Sequence, residues 1–305
     1  MNPLSQIALT LVPQLSASRI RHLVGQLQGD DPFNLPLAAL VDVLRGDSET
    51  AQSIASKHTL QQAEQQLLFC EKNHIRTLFF TDSNYPSRLN RADTNDCPAL
   101  LYVMGTADLN AERSVAVVGT RRATPWGCST TERLIHELAP HSTPIVSGLA
   151  YGIDTAAHRA AIACGLPTIA VLAHGLDRIY PPANRNLAQQ LLEHDGALVT
   201  EYPMGTTLNA RFFPARNRII AALADATVVV EAAERGGALI TAEMAVGYHR
   251  PLFAVPGRPD DTYSRGTNNL IASRRAALLR GANDIAAQLD WPSPGQQFSL
   301  QIESK

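Results

Sequence analysis

Arginines beside glycine-rich breaks, together with one pair of adjacent phenylalanines, hold most of this chain's capacity for chemistry. Gly119-Thr120-Arg121-Arg122 is the first such place. Ser147 and Gly148 open a second small-residue stretch, which runs to Gly152 with Asp154 and His158 behind it. The run Asn209-Ala-Arg-Phe-Phe-Pro-Ala-Arg-Asn-Arg218 gathers Arg211, Arg216, Asn217 and Arg218 around Phe212 and Phe213. Gly236 and Gly237 precede Thr241 and Glu243. Guanidinium groups hold phosphates, aromatic rings stack bases, and glycine lets backbone N–H groups approach an anion. That combination suits single-stranded nucleic acid. The 209–218 run also reads as a plain helix start, with Pro214 opening the helix, the phenylalanines in the core and the arginines solvated.

Other chemistries fit less well. Of 26 basic residues only Lys57, Lys72 and Lys305 are lysine, so the long region between the last two can build neither a P-loop nor a Schiff base. A dinucleotide fingerprint needs G-x-G-x-x-G, and bulky Arg121 stands where the second glycine would admit a pyrophosphate. No redox cofactor is expected. Asp154 and His158 lie four apart on one helix face, as metal ligands could, but an N-capping aspartate and a packed histidine account for the pair. Ser147 lacks the G-x-S-x-G elbow of a hydrolase. The four cysteines are scattered without a C-x-x-C pair, so no metal site is expected.

The elements that must position these residues follow from the apolar pattern. Val115 to Val118 is apolar without alternation, as in a strand covered on both faces. Further strands are expected at 145–147, 168–172, 197–200, 226–231 and 252–255. Helices are expected at about 127–139, 154–164, 184–194, 215–224, 238–248 and 267–280, the second capped by Asp154. Six such units predict a doubly wound, mostly parallel sheet, an extended Rossmann-like α/β fold. Strands at 76–80 and 99–103 extend one side of it. Residues 1–72 read as a small all-helical domain, 73–290 as the Rossmann-like core and 291–305 as a disordered tail. The chain has 305 residues, 45% of them hydrophobic, and a net charge of −2, so any nucleic-acid site must be a local patch. No apolar run reaches the roughly 18 residues of a membrane span, and no signal peptide is evident. A cytoplasmic location and no membrane partner are expected.

Several motifs occur in one order: Gly119-Thr-Arg121, Ser147-Gly-Leu-Ala-Tyr-Gly-Ile-Asp154, Tyr180-Pro181, Glu201-Tyr-Pro203, Phe213-Pro-Ala-Arg-Asn-Arg218, Gly237-Ala-Leu-Ile-Thr241, Ala254-Val-Pro-Gly257 and Gly266-Thr-Asn268. Over about residues 75–285 the chain strongly resembles the DNA-processing protein A family (DprA, also called Smf). The resemblance implies a core that binds single-stranded DNA during natural transformation, loads RecA recombinase onto that strand and forms a homodimer. It implies no catalytic activity. The family's DNA pocket maps onto Arg121 and onto Phe213 to Arg218, with Arg211 as a further basic candidate. Residues 13–16 read Pro-Gln-Leu-Ser and lack the glycines of the helix-hairpin-helix turn found in many relatives. The winged-helix domain that ends many relatives is not in this sequence.

Together these readings place Gly119, Thr120, Arg121, Arg122, Ser147, Gly148, Arg211, Phe213, Arg216, Asn217, Arg218 and Gly237 at a DNA-binding site. Two other functions fit parts of the pattern. One is a phosphoribohydrolase cleaving a base from a nucleotide on a related core, with Glu231 and Glu243 as acid and base. The other is a partner-binding protein with a vestigial pocket.

Overall fold

The computed structural model describes residues 1–91 and 97–292, so the expected tail lies outside the described residues from 293 onward. The chain begins with α1 (Pro3–Leu11), α2 (Ala17–Leu27), α3 (Leu37–Val43), α4 (Ser48–Ala55) and α5 (His58–Lys72). β1 (Ile75–Phe79), α6 (Ser87–Arg91) and β2 (Leu100–Gly105) follow. Strands and helices then alternate: β3 (Val115–Val118), α7 (Pro125–Leu138), β4 (Ile145–Ser147), α8 (Ile153–Ala163), β5 (Thr168–Val171), α9 (Arg185–Glu193) and β6 (Ala197–Thr200). The alternation continues through α10 (Phe212–Leu223), β7 (Ala226–Val229), α11 (Gly237–Gly247), β8 (Leu252–Ala254), α12 (Arg265–Ala272), β9 (Ala277–Leu278) and α13 (Ala282–Gln288).

All these strands join one sheet in the order β1-β2-β6-β5-β4-β3-β7-β8-β9. From β6 to β9 every pairing is parallel, and β2 runs antiparallel to both β1 and β6. The central strand β3 is buried along its whole length, which explains its unbroken apolar sequence. Val118, Val146, Val171 and Val199 face one layer with residues of α10 and α11. Val117, Ile145 and Val228 face the other with residues of α7, α8 and α13. The sheet is therefore wound on both sides, as expected.

β3 feeds α7 and then β4, while its other neighbour β7 feeds α11 and then β8. The connections leave adjacent strand ends in opposite directions. A crevice opens there, outside the carboxyl ends of the strands.

The N-terminal helices bury Ile7, Leu9, Ile20, Leu23, Leu40 and Ile54 in one cluster with Ile75, Phe79, Leu100 and Tyr102 of β1 and β2. They also hold a loop that matters below. The Gln66 side-chain amide of α5 donates to the Met204 carbonyl (3.1 Å) and accepts from the Met204 N–H (2.9 Å). This two-way pairing anchors the segment between β6 and α10. In the turn between α1 and α2, Gln14 takes the left-handed conformation (φ 62°) that glycine holds without strain, and Ser16 caps α2.

Two expected elements differ. The helix anticipated over 267–280 stops at Ala272, and Ala277–Leu278 adds a short edge strand instead. Both residues of β9 are exposed, and the short apolar run Ala276–Leu279 that holds them reads equally well as the end of a helix. Asp154 is not the cap of α8: Gly152 holds that position, and Asp154 sits one residue inside the helix.

Candidate nucleic-acid interface

Glu231, two residues past the end of β7, fixes the turn after β3. Its carbonyl accepts from the Thr120 N–H (2.8 Å). Its carboxylate accepts from the Thr124 N–H (3.0 Å) and hydroxyl (2.5 Å). Thr124 in turn caps α7, followed by Pro125 in the first turn, and the buried carboxylate thus lies at that helix's positive end. With both ends of the turn held, Arg121 and Arg122 stand exposed between them.

The loop after β4 is built from buried polar groups. The Asp154 carboxylate accepts from the N–H groups of Gly148 (3.1 Å) and Ala150 (3.4 Å). Burial pushes its carboxyl above the usual range, against the pull of the Arg216 guanidinium and these amides. His158 is fully buried: its Nε2 accepts from the Leu149 N–H (3.3 Å) and its Nδ1 faces the Thr168 hydroxyl (2.7 Å), which donates to the Ile145 carbonyl (2.8 Å). The ring is neutral, with burial first and the Arg216 charge second drawing its pKa down to about 3.

That value has a consequence for stability. On acidification the unfolded chain takes up this histidine's proton first, from about pH 6.5, so stability from His158 is whole above that pH and falls as pH drops towards 3. Asp154 acts in the opposite direction. Between pH 7.5 and 5.0 the histidine alone should remove about 2 kcal/mol, by the rule of 1.36 kcal/mol per unit. Urea denaturation at both pH values should show this loss, and His158→Gln should shrink it.

Two glycines serve the protein's own packing rather than a ligand. A Cβ on Gly148 would strike the Arg216 guanidinium, 2.6 Å from its Cζ. Gly152 has φ 76°, and a Cβ there would meet the backbone of Thr120 and Arg121. The loops after β3 and β4 therefore lie in contact across the start of α8.

α10 begins at Phe212, so the arginine- and phenylalanine-rich run does start a helix, but two residues before Pro214, with Phe213 on a cleft wall and Arg216 buried rather than solvated. Pro214 falls in the first turn, where its missing N–H loses no bond. Phe213, Asn217 and Ile220 recur at helical spacing and line one cleft with Gly119, Thr120, Arg121 and Arg122. The cleft has a volume of about 880 Å³ and opens at the crevice beside β3 and β7. Its remaining wall comes from the turn into α11, with Arg235, Gly236 and Gly237. The Arg121 guanidinium lies 5.4 Å from the centre of the Phe213 ring, and Tyr180 meets that ring edge-on at 5.7 Å. Tyr180 is itself exposed and lines the cleft. Asn217 donates to the Gly237 carbonyl (3.2 Å), tying α10 to the start of α11.

Four residues assigned to phosphate by their sequence are engaged elsewhere. Ser147 is completely buried and donates to the Val117 carbonyl (2.7 Å). Gly148 is buried, with its N–H on Asp154 and its carbonyl on Arg216. Arg216 reaches the cleft wall but is only 3% exposed, and its guanidinium donates to the carbonyls of Gly148 (2.6 Å) and Val171. Burial draws its pKa down to about 10, with Asp154 opposing, so it remains a cation. Arg218 forms a two-pronged pair with Glu201 (2.6 Å to each oxygen); burial works against its charge and Glu201 outweighs burial. Arg211 is exposed at the N-cap of α10, outside the cleft lining.

Sequence reasoning missed Arg235, Tyr180 and Tyr263, all of which line the cleft. Arg235 is exposed, as are Gly236 and Gly237 beside it, where an added Cβ would meet open space. Neither carboxylate of the nucleotide-cleaving alternative lines the cleft. Glu231 is bound at the start of α7, and exposed Glu243 pairs with Arg275 at 3.8 Å.

The family model described as DNA recombination-mediator protein A matches residues 76–290, which include every wall of this cleft. The chain belongs to that family. It is similar to DNA processing protein DprA of Streptococcus pneumoniae, with 42% identity over 210 residues, 69% of this chain and 73% of the relative. The X-ray structure of DprA from that organism superposes with a TM-score of 0.80 at 34% identity, covering 93% of this chain and 97% of the other. A structure of DNA processing protein A from Helicobacter pylori, described for its single-stranded DNA binding mode, gives a TM-score of 0.62 at 31% identity. It covers 70% of this chain and 95% of the other.

Proposed function

We propose that this chain holds unpaired DNA in the cleft between β3, α10 and α11 and does not cleave it. In this reading it protects DNA arriving during natural transformation and loads RecA recombinase onto the strand, acting in the cytoplasm as a homodimer. The observation that carries the reading is the meeting of Arg121 with Phe213, a guanidinium and an aromatic ring from separate segments, on the wall of an open cleft. The single-stranded DNA binding mode described for the similar Helicobacter pylori protein supports it.

Mechanistically, Arg121, Arg122 and Arg235 neutralise phosphates along the cleft, and Arg211 meets the strand outside it. The N–H groups of the Gly236–Gly237 turn, at the positive end of α11, seat one phosphate. Phe213 stacks a base, with Tyr180 beside it. Contacts of this kind carry little base information, so sequence preference is weak.

Anisotropy of labelled oligo-dT and of a matching duplex, across a salt series, tests the reading. Oligo-dT should bind more tightly, and with about four phosphates neutralised the slope of log affinity against log salt should be roughly −3. Arg121→Ala should weaken oligo-dT and mixed-sequence strands alike. Equal or tighter binding of the duplex would overturn the proposal.

A further inference from the structure

A second hollow, of about 570 Å³, lies between α2 and the turn that follows α3. Ser18, Arg19, Arg21 and His22 line it from the first two turns of α2, and Leu44 and Arg45 from the other side. Three guanidinium groups around one concavity focus a positive potential there, and the His22 imidazole adds a polar group beside them. Asp47 offsets part of it by pairing with Arg19, and the same carboxylate caps α4 through the Thr50 N–H (3.0 Å). Arg21 is held in place by its surroundings. Its guanidinium lies 4.6 Å from the centre of the Phe80 ring and donates to the Pro98 carbonyl (3.2 Å) and to Asn90 (3.1 Å). It forms no ion pair among the described residues.

Arg45 and His22 are exposed, and neither has an ion-pair partner among the described residues. Arg45 has φ 56°, in the left-handed region that glycine occupies without strain. The turn geometry thus favours a residue other than arginine.

The position of the hollow relates it to the cleft. Phe80, against which Arg21 lies, follows β1 at its carboxyl end, on the sheet edge that also carries the cleft. Five strand-to-strand steps separate β1 from β3. At about 4.8 Å per step the carboxyl ends of β1 and β3 lie roughly 24 Å apart along one edge.

We propose that this hollow is a second seat for backbone phosphate on the single strand that leaves the cleft. It offers charge but no phenylalanine, tyrosine or tryptophan among its lining residues, so it holds the sugar–phosphate backbone and adds affinity without sequence preference. The proposal rests on the reading of the cleft as a single-stranded DNA site.

Strand length separates the two sites in an experiment. Labelled oligo-dT of about 6 and about 30 nucleotides would be titrated against the full chain carrying Arg45→Gly or His22→Ala. Arg45→Gly removes the charge while suiting the backbone, so lost folding cannot account for lost binding. For the long strand it should weaken binding at low salt about three- to fivefold and flatten the salt slope by roughly 0.7. Binding of the short strand should not change. His22→Ala should act in the same direction on the long strand alone. Unchanged affinity for the long strand, or equal losses at both lengths, would overturn the second seat. Failure of the unsubstituted protein to bind either strand would overturn the reading of the cleft, and this proposal with it.

Discussion

Arg216→Ala is expected to destabilise the core by about 3–5 kcal/mol, the usual effect of removing one member of a buried charged set. Three groups lose their counterpart at once. The carbonyls of Gly148 and Val171 lose their donor, and the Asp154 carboxylate loses the cation that opposes its burial. The side chain also leaves a void beside Gly148, whose missing Cβ exists to admit it. Urea denaturation followed by circular dichroism measures the effect. A midpoint equal to that of the unsubstituted protein would mean that Arg216 is not structural. Any loss of DNA binding in this variant follows from the loops it holds, since its guanidinium is already bonded within the protein.

Phe213→Ala should have the largest effect on binding with the fold retained. Stacking of one base on an aromatic ring contributes roughly 1–3 kcal/mol, or about 5- to 150-fold in affinity. Phe213 is only partly buried, near the start of α10, so its removal disturbs packing less than that of Arg216. Oligo-dT affinity measured beside the urea midpoint separates the two variants. Phe213→Ala should lower affinity with a small change in midpoint, and Arg216→Ala should lower the midpoint strongly. The reverse pattern would exchange the roles assigned to these residues.

The contrast explains what could be read from the chain before its structure. The alternating strands and helices were legible because β3 to β8 are short, apolar and fully buried, a pattern that helices on both faces impose. The sheet edge of the site followed from that alternation, since loops after parallel strands gather at one edge. β9 was not legible: two exposed residues carry no periodicity.

Which arginines are free was not legible either. Arg216 and Arg218 look alike in sequence, but one faces carbonyls 68 and 45 positions away and the other a carboxylate 17 positions away. Partners at such separations leave no local signal. Arg235 failed to stand out for the opposite reason: Glu234 beside it suggests a cancelled charge, and only the pairing of β7 with β3 brings that turn to the cleft. The glycines misled in a similar way. Gly148 and Gly152 are small for the sake of Arg216 and of the Thr120–Arg121 backbone, whereas the uncrowded glycines that line the cleft are Gly236 and Gly237.

The central claim is that Arg121 and Phe213 grip one strand together, and oligo-dT affinities of Arg121→Ala, Phe213→Ala and the double variant test it most directly. Each single change should weaken binding at least about fivefold, and the double change should weaken it by less than the product, because a shared strand couples residues in contact. Unaltered affinity in either folded single variant, or fully independent losses in the double, would contradict a shared grip.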